Sequence, residues 1–200
     1  MKSFFTVAGL LLSFILLAVT TGCGGGSDYT PKPKGYMRID MPSHSYAVYD
    51  TSALPFVFDV SSNAVVDLKR DQSRLKWVDI NYPQVNGVIY LTYIPLRKHG
   101  DLEGQVDTSS LLLSKHFGFS SGVDERLWVN KDQNVFATSY LLKGSSVAST
   151  YQFWATDSLL HFLRGSLYIN CVPNNDSLAP VLEYLHRDMD HIIETLRWRR

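Results

Sequence analysis

Trp77-Val78-Asp79-Ile80-Asn81-Tyr82-Pro83-Gln84-Val85-Asn86-Gly87-Val88-Ile89-Tyr90-Leu91-Thr92-Tyr93-Ile94 reads as two strands and the turn between them. In the first arm Val78, Ile80 and Tyr82 share a face and Trp77 is offset from them, the period-two pattern of a half-buried strand. The second arm, residues 87–94, is rich in β-branched and aromatic side chains, which suit a pleated surface. Pro83 to Gly87 supplies the turn, and Asn86-Gly87 is a strong hairpin dipeptide. Strands joined this tightly are antiparallel.

The same signals recur on both sides. Tyr46-Ala47-Val48-Tyr49 and Phe56-Val57-Phe58-Asp59-Val60 read as short strands, and so do residues 135–142. Residues 147–155 and 159–169 form a second hairpin joined at Thr156-Asp157-Ser158, with Arg164-Gly165 as a candidate bulge in its second arm. A helix is predicted over residues 107–117, where Leu111, Leu112 and Leu113 occur without glycine or proline and Asp107, Thr108 or Ser109 supplies the cap. The carboxyl end gives the clearest period. Leu178, Val181, Leu182, Leu185, Met189, Ile192, Ile193 and Leu196 recur at steps of three and four. Glu183, Arg187, Asp188, Asp190, Glu194 and Arg197 read as the opposite, solvated face, with Asp176 or Ser177 as the cap and Pro180 in the first turn. That makes an amphipathic helix of ~20 residues packed on a sheet. The fold class is α+β: an antiparallel central sheet built of hairpins, flanking helices, and a long C-terminal helix. A long antiparallel sheet between helices is also the layout of the PsbP/Mog1-like fold, an analogy of architecture alone.

The amino end is of another kind. After Met1-Lys2-Ser3 the chain turns apolar through Val19, a run of ~16 residues that is shorter than the ~20 a bilayer span needs. It ends in Thr20-Thr21-Gly22-Cys23. A positive start, a short apolar core and small residues before a cysteine make residues 1–22 a lipoprotein signal peptide and Cys23 the lipidated residue. Two or more acyl chains give lasting anchorage. Residues 23–35 then form a tether: Gly24-Gly25-Gly26-Ser27 is flexible, and Pro31 and Pro33 favour an extended chain. Residues 36–200 are expected to form a single globular domain. With only one acid after the cysteine, Asp28, a periplasm-facing orientation is expected, on either the inner or the outer membrane.

Composition narrows the function classes. Lys plus Arg and Asp plus Glu number 19 each, so no basic excess points to nucleic acid or to anionic lipid. Cys23 and Cys171 are the two cysteines; with Cys23 lipidated no internal disulfide is left, and Cys171, in an apolar run, reads as a buried inert thiol. No phosphate-binding loop, dinucleotide fingerprint or nucleophile elbow occurs, so neither a cofactor nor a small-molecule substrate is expected. His186, Asp190 and Glu194 recur four apart, but interleaved Arg187 and Arg197 make that face read as a solvated ion-pair surface rather than a metal site. Asp157, Ser158 and His161 are too close on one turn for a catalytic triad. Trp77, Trp128 and Trp154 lie in apolar contexts that suit the core better than sugar stacking. Tyr36, Arg38 and Asp40 fall on one extended segment just past the tether, ended by Pro42, and read as a docking edge for a partner at the membrane. Asp157-Ser158-Leu159 and Asp176-Ser177-Leu178 match an Asp-Ser-apolar pattern of periplasmic O-glycosylation.

The segment Pro31-Lys32-Pro33-Lys34-Gly35-Tyr36-Met37-Arg38-Ile39-Asp40-Met41-Pro42, shortly after a lipidated cysteine, resembles the GldD family of gliding-motility-associated lipoproteins from Bacteroidetes. The likeness extends through residues 77–82, His161-Phe162-Leu163-Arg164-Gly165-Ser166-Leu167-Tyr168 and Asp176-Ser177-Leu178-Ala179-Pro180 to Trp198. Residues 61–76 and 97–135 match only in pattern. The resemblance implies a non-enzymatic accessory lipoprotein that supports gliding and type IX secretion through contacts with envelope membrane proteins. It carries no active site to transfer. The rival readings are a binding module for peptidoglycan or another envelope glycan, and an envelope hydrolase, which lacks a convergent polar trio.

Overall fold

The computed structural model describes residues 38–69, 76–97 and 100–199, which belong to one compact unit, Met37–Arg200. The signal peptide, Cys23, the tether and Tyr36 lie outside the described residues.

The hairpin around Asn86-Gly87 forms as β4 (Lys76–Tyr82) and β5 (Gly87–Pro95), with Tyr82 opposite Gly87. Asn86 takes a positive φ of 52° in its turn, a conformation asparagine tolerates better than most residues. β3 (Val65–Lys69) adds to β4 and completes a three-strand meander. A four-strand meander follows later: β6 (Gly122–Asn130), β7 (Val135–Lys143), β8 (Tyr151–Thr156) and β9 (His161–Ile169). The two meanders join where β9 pairs antiparallel with β5, giving one seven-stranded sheet in the order β3-β4-β5-β9-β8-β7-β6. The connection between the meanders carries α1 (Asp101–Ser114).

One face of this sheet holds the core. Val78 and Ile80, Ile89 and Leu91, Phe153 and Ala155, and Leu163 and Leu167 point to it and are buried. A second layer covers them. It consists of α2 (Ala179–Thr195) and a ribbon of three strands, β1 (Tyr46–Tyr49), β2 (Phe56–Ser61) and β10 (Arg197–Trp198), with β2 in the middle. Phe56 and Phe58 of β2 and Leu185, Met189 and Ile192 of α2 are almost fully buried. Each such side chain contributes ~1.5–3 kcal/mol. On the other face a smaller cluster forms from Leu113 of α1 with Leu142 and Val147, and Tyr140 packs against it.

The α+β class, the antiparallel sheet and the long final helix stand as the sequence indicates. Several local expectations do not. α1 begins at Asp101 rather than 107. Gly100, at φ 100°, starts it, and Asp101 accepts the Arg97 N–H at 2.8 Å. Thr108 and Ser109 do not cap the helix; inside it, their hydroxyls donate to the Gly104 and Gln105 carbonyls. At α2 neither Asp176 nor Ser177 caps: Leu178 is the cap residue, and no side-chain hydrogen bond closes it. Arg197 leaves the helix for β10. Residues 147–150 stand outside β8, and residues 38–45 form no strand. Gly165 marks no bulge. Its pairing with Leu91 and with Phe153 is continuous, and a Cβ there would lie 2.1 Å from the Phe153 ring. The glycine makes room for an aromatic ring. Cys171, just past β9, is exposed rather than buried.

Candidate functional site

The residues singled out from the sequence divide. Arg38 and Asp40 come together: Arg38 Nε donates to Asp40 Oδ1 at 2.7 Å, and both side chains are exposed. Asp157 and Ser158 build a turn that leads into β9 at His161. Asp157 Oδ1 accepts the N–H groups of Leu159, Leu160 and His161 at 3.0, 2.8 and 2.8 Å. Burial works to raise this carboxyl, but the three backbone donors overcome it and hold the carboxyl below its usual range. Ser158 N donates to Thr156 Oγ1, and His161 Nδ1 meets the Tyr93 hydroxyl at 2.9 Å. His186 and Asp190 do not lie on a free solvated face. His186 Nε2 is 2.9 Å from Thr150 Oγ1, Asp190 accepts from the Tyr151 hydroxyl, and Arg126 approaches Asp190 at 3.6 Å. Among the described residues no group of three or more His, Cys, Asp or Glu is placed to hold a metal ion. The three tryptophans are half-buried rather than core. Trp128 donates its indole N–H to Ser139 at 2.9 Å, and the Arg126 guanidinium lies 3.6 Å from its ring centre.

A more concentrated polar site forms around Asp188. This carboxylate is 1% exposed in the heart of the second layer. Tyr46 and Tyr82 donate their hydroxyls to its two oxygens, each at 2.8 Å, and His44 Nδ1 lies 2.9 Å from Oδ1. A carboxylate accepting several bonds in a low-dielectric interior tolerates burial that an unpaired one does not. Burial first, and then Asp188, raises both phenols well above the ordinary tyrosine range, so they remain protonated donors. Ring stacking frames the cluster: His44 lies on Tyr184 with centroids 4.1 Å apart, and Tyr46 lies on His191 at 3.6 Å. Asn63 donates to the Tyr184 hydroxyl at 3.0 Å.

Four stretches of chain meet here: residues 38–45 and β1 through His44 and Tyr46, the β2–β3 connection through Asn63, β4 through Tyr82, and α2 through Tyr184 and Asp188. The segment that follows the tether in sequence is therefore pinned to the final helix and the sheet. Beside it, Met41, Pro42, His44, Pro180, Glu183 and Arg187 help line an open groove of about 330 Å³. The groups bonded to Asp188 satisfy its two oxygens, an arrangement that locks a junction.

The helix spacing contained a signal for Asp188. It lies three residues after Leu185 and four before Ile192, on the apolar stripe itself, and the alternation of charges along α2 drew it to the wrong face. Nothing in the sequence pointed to its partners, which come from segments more than a hundred residues away.

No helix among the described residues is long and apolar enough to cross a membrane. No curated protein and no solved structure matches the chain. The family description "gliding motility lipoprotein GldD" matches residues 26–198, from the tether through the whole described domain to β10. The chain belongs to the GldD family of gliding motility lipoproteins.

Proposed function

We propose that this membrane-anchored envelope lipoprotein is a non-enzymatic accessory subunit of the gliding and type IX secretion machinery. It acts by protein–protein contacts made close to the membrane. The observation that carries the reading is the family match over residues 26–198, which spans the described domain. Anchorage through Cys23 and a periplasm-facing orientation belong to the same reading. Accumulation of unprocessed precursor under globomycin is expected, and normal processing under the drug would remove the anchor.

The docking surface is the stretch that carries Tyr36, Arg38 and Asp40 after the tether in sequence; of these, Arg38 and Asp40 are exposed. Its support is that Arg38 and Asp40 pair only with each other and stand clear of the core. Crosslinking in the native host followed by mass spectrometry tests it. Arg38→Glu is expected to leave the melting temperature unchanged and to abolish recovery of the envelope partners. Unchanged recovery would refute the assignment.

A non-catalytic role is supported by the Asp188 cluster, where the carboxylate is spent on three donors. The rival glycan-binding reading has less support, because Trp128 is engaged by Arg126 and Ser139. Retention on isolated sacculi would revive it.

A further inference from the structure

The two edges of the seven-stranded sheet are built differently. β3 is five residues long, and its exposed row carries the Lys69–Asp67 pair, held at 2.8 Å. Charges on a short edge strand discourage further pairing. β6 is nine residues long, and on its outward row Leu127 is 73% and Val129 62% exposed. β7 occupies one side of its backbone, and no strand of the described residues occupies the other. Past the charged run Asp124-Glu125-Arg126, a long edge that ends in exposed apolar residues is a template for another strand.

We infer that β6 pairs antiparallel with β6 of a second copy about a two-fold axis at Leu127, making one continuous sheet across a dimer. Charge and ladder length together select the register, since axes at Trp128 and Val129 oppose no like charges but pair only residues 126–130 and 128–130 of the strand. In a regular antiparallel pair, opposite residues point to the same face, so a two-fold axis perpendicular to the sheet passes through a residue. An axis at Glu125 sets Glu125 against its own copy, and an axis at Arg126 does the same for Arg126. Like charges directly opposite destabilise a sheet. An axis at Leu127 sets Leu127 against Leu127, Arg126 against Trp128 and Asp124 against Asn130, with no like charges opposed. The apolar pair covers the most exposed leucine, with Val129 diagonal to it. Arg126 already stacks on Trp128 within its own chain, so the cross-strand pair extends an existing contact. Asp124 keeps its ion pair with Lys143 at 2.7 Å.

Two further points favour a second copy over a foreign strand. This axis leaves α2 of both copies on one face of the joined sheet, and the segment leading from the anchor lies in that same layer through His44 and Asp188. The residues that enter the two domains from the amino-terminal side then lie on one side of the joined sheet. Lipid-anchored copies also share a surface, which raises their effective concentration. The isologous contact uses up both β6 edges, and the charged β3 edges stop further growth.

The test uses the full-length lipoprotein in membranes of its native host, with Cys171→Ser as background. Residues opposite in such a pair have Cα atoms ~4.5–5.5 Å apart, within reach of a disulfide. Under mild oxidation Leu127→Cys is expected to move the greater part of the protein to twice its mass on a non-reducing gel, and Val65→Cys on β3 is not. Leu127→Lys, at an exposed position, is expected to keep the melting temperature and to abolish dimers seen by amine crosslinking of otherwise unmodified protein. Three outcomes would overturn the proposal: Leu127→Cys staying monomeric, crosslinking to a different protein, or crosslinking no better than Trp128→Cys.

Discussion

Replacing Asp188 by alanine removes the acceptor shared by Tyr46, Tyr82 and His44. Tyr82 is 3% exposed, so its hydroxyl is stranded in the core, at a cost of ~1–3 kcal/mol. Tyr46 and His44 lie nearer the surface and regain water, so each adds ~0.5–1 kcal/mol. The sum is a loss of roughly 2–5 kcal/mol, a large part of the stability of a domain this size. With a urea m-value of ~2 kcal/mol/M, the midpoint falls by about 1–2.5 M. Urea titration of the purified lipoprotein in detergent, followed by tryptophan fluorescence, reads this directly. Asp188→Asn keeps the shape and one acceptor oxygen, and is expected to cost about half as much. Tyr82→Phe in the Asp188→Ala background is expected to recover ~1 kcal/mol, because phenylalanine needs no acceptor. A loss below ~1 kcal/mol for Asp188→Ala, or strict additivity with Tyr82→Phe, would show that the cluster is no lock.

Gly165→Ala drives a methyl into the Phe153 ring and is expected to cost ~3 kcal/mol or more, with substantial rescue by Phe153→Leu; comparing midpoints of the single and double variants decides it. Burial lowers His186 to about 4, so protonation favours the unfolded chain, and stability is expected to fall as pH drops from ~6.5 toward 4 and to level below that. His186→Gln is expected to flatten that acid slope, and an unchanged slope in a pH series of melting temperatures would count against the assignment. Cys171, exposed past β9, is expected to react with a maleimide in the folded protein, without denaturant; protection until unfolding would contradict the structure.

The parts of the fold legible in the sequence are those where one local signal dominates. The Asn86-Gly87 hairpin, the aromatic alternation of β2 and β9, and the stripe of α2 each repeat a single period. α1 was misplaced at its start because it buries only Ser109 and Leu113, so almost no stripe marks it, and Gly104 interrupts its first half. β6 escaped notice because an edge strand exposed on both faces shows no alternation, and Asp124-Glu125-Arg126 reads as loop. β3 and β10 are short and gain their order from β4 and β2. At the site, Arg38 and Asp40 were legible as neighbours because two residues along an extended chain share a side. The Asp188 cluster was not, since it depends on long-range closure that no local pattern encodes. The burial expected of Cys171 failed for a similar reason: the apolar run of β9 ends two residues before it.

β2 carries β1 on one edge and β10 on the other, so the first and last strands of the domain flank the same ribbon. This has a consequence for biogenesis. A chain that emerges amino end first makes β1 and β2 early, but Phe56 and Phe58 have no lid until α2 and β10 follow more than a hundred residues later. Contacts this distant form slowly. Through that interval the aromatic face of the ribbon stays open to other chains, and a holding chaperone finds its substrate there. A stop codon or a protease cut before residue 179 would therefore leave not a shortened lipoprotein but an unclosed one.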